Sequence, residues 1–445
     1  DQREPDYEQV IRRRFINGEA PMTAITNMMP SETIANTEFH WWDELDEDES
    51  LKLAAAGALT TQAAGVYINS SLTTLATASN AASGDSVHVQ FFDDGSTQDA
   101  PANRVRPPNV VLLRNESYPS YDLRGIITSV NRSTQTVSVV LLEAPPTGSS
   151  GWNRLRVIGS ASPEYGTAPE GTTTIPNKYY NYMQTFWDAL RLSDEALRTR
   201  VRTGNRYLQE KAKTFTKHVR GIEKAIFFGQ MSERIDPDNG QPIRTMQGII
   251  PFLRANGGLI GNFQTDAVAT WAEGAGGYTN QTFEDPDSDA GYRWLMYWFE
   301  RLFRYAGDNL IGFAGTGALM GLSAMAMARG QITIESGTLP WGFRVRRLIT
   351  DFGEVTFRTH PLFSHDPTDR FSFLVFPPAN IKAVKFPGGE THFLKDADNN
   401  RRQGGEGKFD GICDSFQTKR SMKLYGPEEF MYLNGIGVGK VSAAA

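Results

Sequence analysis

The chain has 445 residues, 40% of them hydrophobic and 22% charged, with a formal net charge of −6. That is enough chain for two or three packed domains, and the mildly acidic balance argues against a dedicated nucleic-acid binder, which carries a basic excess. No apolar run approaches the ~20 residues of a membrane span, the charged N-terminus is no signal peptide, and the single cysteine, Cys413, excludes an intrachain disulfide and points to folding in a reducing cytosol or without need of oxidation.

Residues 1–60 read as an N-terminal arm, because their apolar residues are scattered. Residues 38–49, EFHWWDELDEDE, hold seven acidic side chains and no lysine or arginine. Such a run is either a solvated face or a docking surface. The paired tryptophans, in a segment without its own core, favour docking, with Trp41, Trp42, Asp43, Glu44, Asp46 and Glu47 as candidate subunit contacts.

Residues 61–180 read as an extended loop carrying an inserted β-unit at 84–158. There Ser86 to Phe91, Gly125 to Val130 and Thr136 to Leu141 alternate apolar and polar residues, the period of half-buried strands. Stretches rich in Pro, Gly and Ser flank the unit at 100–108 and 144–151, and a Gly/Thr/Pro strap covers 163–176. Ser193 can cap a short helix after the strap.

Residues 205–228 then predict the dominant element, a helix roughly 36 Å long. Leu208, Ala212, Phe215, Val219, Ile222 and Ile226 recur at steps of four and three and line one face. Arg206, Lys213, Lys217, Arg220 and Lys224 form a basic face, which is either solvated or meets an anionic partner. Asn205 caps the start, and Gly229 is expected to supply a left-handed residue at the end.

Residues 246–370 alternate helices (292–305, 316–329) with strands (309–314, 331–335, 343–349, 355–360), an α+β domain inserted between the long helix and a strand-rich tail at 371–440. Several motifs resolve to bland readings. Asp351-Phe352-Gly353 lies between two strands and reads as a hairpin turn. Asp285, Asp287 and Asp289, and Asp396, Asp398 and Asn400, resemble calcium loops but lack the glycine and glutamate such loops need. Gly435, Gly437 and Gly439 read as a flexible end, and His360 and His365 as structural. Nothing assembles a nucleophile, base and oxyanion donor, so neither an enzyme nor a cofactor or metal site is expected.

The layout as a whole resembles a tailed-bacteriophage major capsid protein of the Hong Kong 97 fold. An arm (1–60), an extended loop (61–180), a spine helix (205–228) within a peripheral domain (181–245 and 371–440) and an axial domain (246–370) follow one another in that family's order. TEFHWWDEL, RGIEKAIFFG and GPEEFMYLNG are the stretches most like it. The inserted β-unit departs from the plainest members, whose extended loop is a simple hairpin.

The resemblance implies a structural protein with an α+β capsid fold. It would self-assemble as hexamers and pentamers into an icosahedral virion shell enclosing double-stranded DNA, with assembly in the host cytoplasm. Its partners would be other copies of itself, scaffold, portal and decoration or cement proteins, and DNA contacted non-specifically; no membrane partner is implied. A bacterial nanocompartment shell shares the fold but fits the long arm and inserted unit less well. A host- or carbohydrate-binding β-rich protein is the reading from another class. Some relatives cross-link through a lysine on the extended loop, and here no lysine lies between Lys52 and Lys178, so a shell without covalent links is expected.

Overall fold

The alternating residues around 84–158 fold into a sheet of seven strands. Their spatial order is Ser50–Lys52, Arg154–Ser160, Asn109–Arg114, Leu123–Asn131, Thr136–Leu141, Ser86–Gln90 and Val66–Ile68. A bridge between Leu53 and Phe91 brings the first strand back to the sixth, so these strands curl around one core. Val87, Val89, Leu113, Leu123, Val137 and Val139, inward-facing residues of its strands, fill it together with Trp152 from the loop before Arg154–Ser160.

This sheet belongs to one of two units in the computed structural model, residues 42–177, the other being residues 1–41 with 178–445. The residues described are 22–23, 31–44, 50–53, 66–68, 83–84, 86–91, 101–115, 118–145, 152–166, 168–169, 176–199, 205–266, 283, 290–307, 310–329, 334–338, 344–395 and 411–437. The candidate calcium loops, 285–289 and 396–400, lie outside them, as do Gly439, Asp46 and Glu47. Ser50–Lys52, expected in the arm, pairs instead with Arg154–Ser160. Three residues are too few for a period to register in the sequence.

Helix Arg206–Phe228 organises the larger unit; its 23 residues make it about 35 Å long. Asn205 caps it by accepting from the N–H groups of Tyr207 and Leu208 at 3.0 and 3.4 Å. The other end corrects the sequence expectation. Gly229 has φ −59°, outside the left-handed region, and glycine is needed for closeness instead: a Cβ would lie 2.5 Å from Ala225 O and 2.7 Å from Met246 O. The chain recrosses here, with Gly248 N–H donating to Gly229 O at 2.6 Å.

The helix's apolar stripe is only partly covered. Ile222, Ile226 and Phe227 are buried, whereas Leu208 and Phe215 are exposed, and His218 and Glu223 occupy buried positions. Periodicity locates a face; how much of its length the fold covers is settled by tertiary contacts.

One sheet packs on this helix. Its 14-residue strand Gly411–Leu424 pairs antiparallel with Gln184–Ser193 along one stretch and with Ile381–Lys385 along the other. Ser31–Thr33 of the arm joins Ile381–Lys385 in parallel. Sequence reasoning found the short helix Asp194–Arg198, capped by Ser193 Oγ, but not the strand before it.

The other large sheet of this unit has seven strands: Leu259–Asn262, Met431–Asn434, Phe373–Phe376, Leu310–Ala314, Gly353–Thr359, Arg344–Thr350 and Ile334–Thr338. Helices Ala290–Phe303 and Thr316–Arg329 share its core. The tail at 371–440 is expected beside the long helix, yet its strands Met431–Asn434 and Phe373–Phe376 join this sheet. The first three residues of one and all four of the other are buried, and such runs do not reveal which sheet they enter. Gly435 and Gly437 do not begin a loose end: Ile436 between them is fully buried and its N–H donates to Phe371 O at 2.9 Å. Asp351-Phe352-Gly353 is the turn between two paired strands, with Thr350 opposite Gly353.

Because the 42–177 unit has its own core, Trp152→Ala should lower that unit's stability by about 3–5 kcal/mol. Calorimetry should show its transition moving to lower temperature while the transition of the other unit stays in place.

Candidate assembly surfaces

Three of the described places where the arm meets the rest of its unit involve side chains that the sequence singles out or hides. The deepest is Glu223, 1% exposed, on the second half of the long helix. Its Oε1 accepts from Met22 N–H at 2.7 Å, and its Oε2 accepts from Thr23 N–H at 2.6 Å and from the Thr23 hydroxyl. His360 Nε2 completes the shell at 2.8 Å from Oε1. The tautomer follows from geometry, since His360 Nδ1 accepts from Leu362 N–H at 3.2 Å and the proton therefore sits on Nε2. A buried carboxylate is tolerable only with such a set of donors.

The second place is an ion pair, Lys423 Nζ to Glu32 at 2.7 and 2.8 Å, beside the parallel strand Ser31–Thr33. The third is Trp41, buried against Phe39, Tyr179 and Tyr425, with Nε1 donating to Leu424 O at 2.8 Å. The two tryptophans expected to dock together thus part: Trp41 enters the core of its own chain, while Trp42 is 57% exposed. Adjacent strand residues face opposite sides, so a Trp-Trp pair in a strand cannot share one environment. Of the acidic candidates, Glu44 is exposed and Asp43 half-buried, and Asp46 and Glu47 lie outside the described residues.

On the long helix, Arg206, Lys213, Lys217 and Lys224 are exposed and Arg220 is half-buried. Lys213 pairs with Glu210. Four of the five basic residues thus face solvent, and of the two glutamates of the helix Glu223 turns inward. His218 is likewise buried. Its Nδ1 meets Asp188 Oδ2 and its Nε2 meets Thr418 Oγ1, each at 2.7 Å, and Thr418 meets Thr391 at 2.9 Å. At the helix start, Tyr207 donates to Asp414 at 2.6 Å. These polar bonds tie the exposed half of the helix to the sheet where apolar packing is thin.

Sequence reasoning missed Glu223 and gave His360 no partner. One signal was present: Glu223 lies four residues after Val219 and three before Ile226, on the apolar stripe itself. A charge there announces a buried partner.

Several apolar side chains face solvent on the larger unit. Leu208 and Phe215 lie on the helix, Trp187 on strand Gln184–Ser193, and Ile235 and Ile243 on the hairpin Ser232–Ile235/Pro242–Thr245.

Comparison with known proteins places the molecule among phage capsid proteins. Residues 3–402 match the family model described as SU10 major capsid protein, and the chain belongs to that family. It is 23% identical over 361 residues to the major capsid protein of Pseudomonas phage PaMx41, covering 80% of this chain and 73% of that one. Similar solved structures include the capsid of cyanophage P-SCSP1u (10% identity, 62% of this chain and 80% of that chain, TM-score 0.35). The procapsid of satellite phage P4 (12%, 67% and 83%, 0.37) and the SrpI encapsulin of Synechococcus elongatus PCC 7942 (10%, 61% and 79%, 0.37) are two more. The protein is a phage major capsid protein, a component of the virion shell, with an α+β fold.

Two outcomes test this geometry. Glu223→Ala should destabilise the larger unit by about 3–5 kcal/mol, because the donors of His360, Met22 and Thr23 lose a buried acceptor; chemical denaturation reads this, and proteolysis should reach the arm sooner. Burial, then the bond to Asp414, pushes the Tyr207 phenol up to about 12. An unfolded tyrosine titrates near pH ~10, so the folded chain keeps a proton that the unfolded chain loses. The stability this hydroxyl adds is complete below about pH 10 and is lost as the pH rises through the folded value. Tyr207→Phe should therefore flatten the alkaline limb of a stability-against-pH curve.

Proposed function

We propose that copies of this chain assemble as hexamers and pentamers into an icosahedral shell around double-stranded DNA. The family match over residues 3–402 carries this reading. The arm supports it, since Met22, Thr23 and Ser31–Thr33 have no core of their own and are ordered only by what they lie on. In this reading the sheet on the long helix forms the peripheral part and the seven-stranded sheet of the same unit the axial part. The 42–177 unit is an elaboration of the extended loop. DNA contacts are non-specific, and scaffold, portal and decoration proteins are partners of assembly rather than of the fold.

The acidic run that includes Asp43 and Glu44 docks on basic side chains of its own or a neighbouring copy, with Arg206, Lys213, Lys217, Arg220 and Lys224 as candidates. Each exposed pair contributes under ~1 kcal/mol, so the effect comes from number and weakens with salt. The shell is held without covalent links between copies, because cross-linking needs a primary amine on the extended loop and none lies between Lys52 and Lys178.

Electron microscopy of the purified protein tests the reading, with shells or capsomers expected; a persistent monomer under all assembly conditions would overturn it. Mature shells boiled in detergent and reductant should run as one band near 49.4 kDa, and a ladder of multimers would contradict the non-covalent shell.

A further inference from the structure

We propose that the hairpin following the long helix is a plug that inserts into a groove on the next copy of this chain, a head-to-tail contact made once per subunit. The inference rests on the self-assembly reading above. It adds which surfaces meet.

The plug is defined by exposure that the fold does not explain. Hairpin Ser232–Ile235/Pro242–Thr245 is a two-stranded sheet by itself, an arrangement that is marginal without a covering partner. Its register pairs Ile235 with Pro242 and Arg234 with Ile243. Ile235 is 74% and Ile243 51% exposed, so each face of the hairpin presents a branched aliphatic side chain to water. The turn that follows Ile235 carries Asp236 and Asp238, neither of which forms an ion pair among the described residues. Asp236 instead folds the turn, accepting from Asp238 N–H at 3.3 Å.

The socket is a groove of about 320 Å³ on the same unit, lined by Thr37, Met183, Thr185, Phe386, Lys419 and the hairpin residues Pro242, Ile243 and Arg244. Met183 and Phe386 give it an apolar floor, and it has room for an aliphatic side chain beside a carboxylate. Arg244 is neutralised by Glu233 at 2.7 Å. Lys419 has no ion pair among the described residues; its ammonium lies 5.8 Å from the Phe386 ring centroid. The plug thus offers an aliphatic group and two uncompensated carboxylates, and the socket offers apolar lining and one uncompensated ammonium.

The fit decides the occupant. DNA would need a basic stripe rather than one lysine over an apolar floor, and the adjoining acidic turn repels phosphate. A second copy supplies both missing features at once. Ile235 and the turn residues Asp236 and Asp238 are not among the residues that line the groove, so the contact between hairpin tip and groove is heterologous, and it closes into a ring when the rotation between copies divides a full turn. Such a ring is what a capsomer requires.

The test is charge reversal with rescue, read by sedimentation and electron microscopy of the full chain. Ile235 and Asp238 are exposed and Asp236 and Lys419 half-buried, so each variant is first checked for an unchanged melting curve. Lys419→Glu alone, and Asp236→Lys with Asp238→Lys, should each lower the assembled fraction roughly tenfold at fixed protein concentration, since like charges then face each other. Combining all three reversals should restore assembly, and Ile235→Asp should block it without rescue. Normal assembly of the separate reversals, or failure of the combined variant to recover, overturns the plug-and-socket contact. If the wild-type chain forms no shells or capsomers in the same assay, it is the self-assembly reading that fails instead.

Discussion

A buried carboxylate, Glu223, is the constraint on which the larger unit depends. A charge at 1% exposure on a helix is costly unless every lone pair is met. Here the donors come from two segments far apart in sequence, the arm at Met22 and Thr23 and the strand end at His360. The helix cannot settle on the sheet without recruiting both. Arg358 and Arg420 feel the same carboxylate: burial lowers the proton affinity of both guanidiniums, and Glu223 opposes that shift. One side chain thereby coordinates the arm, the helix and the two sheets of the unit.

Around this point the molecule divides its energetics unequally. Two apolar clusters in the larger unit and one in the 42–177 unit supply the stability of the isolated chain. The first half of the long helix is held differently. Its Leu208 and Phe215 remain exposed, while Tyr207 and His218 anchor it by hydrogen bonds to Asp414, Asp188 and Thr418. Directional polar bonds fix the angle of the helix without consuming its apolar stripe. That arrangement suits a shell subunit, which must be folded before assembly and still keep surface to bury afterwards.

Much of the secondary structure was legible where one face is buried and the other wet. The alternation at Ser86–Gln90 and Thr136–Leu141, the stripe of Arg206–Phe228 and the caps Asn205 and Ser193 carry their periods openly, because burial on one side forces a residue pattern. The order of these parts was enough to bring the Hong Kong 97 fold and the capsid family into view. Strand Gln184–Ser193 was not legible, since QTFWDALRLS mixes charges and aromatics at positions that only its long antiparallel partner, Gly411–Leu424, makes sense of.

What the sequence by itself determined is local: which stretches are helices, which are half-buried strands, and that the chain lacks a loop lysine. The tertiary structure alone decided which sheet the all-apolar strands Phe373–Phe376 and Met431–Asn434 join, why Gly229 must be glycine, that Trp41 is buried while Trp42 is not, and that Glu223 faces inward. The physical reason is the same in each case. A period records that a face is buried, but the identity of what buries it is set by contacts between residues up to 391 positions apart, and no local pattern encodes those.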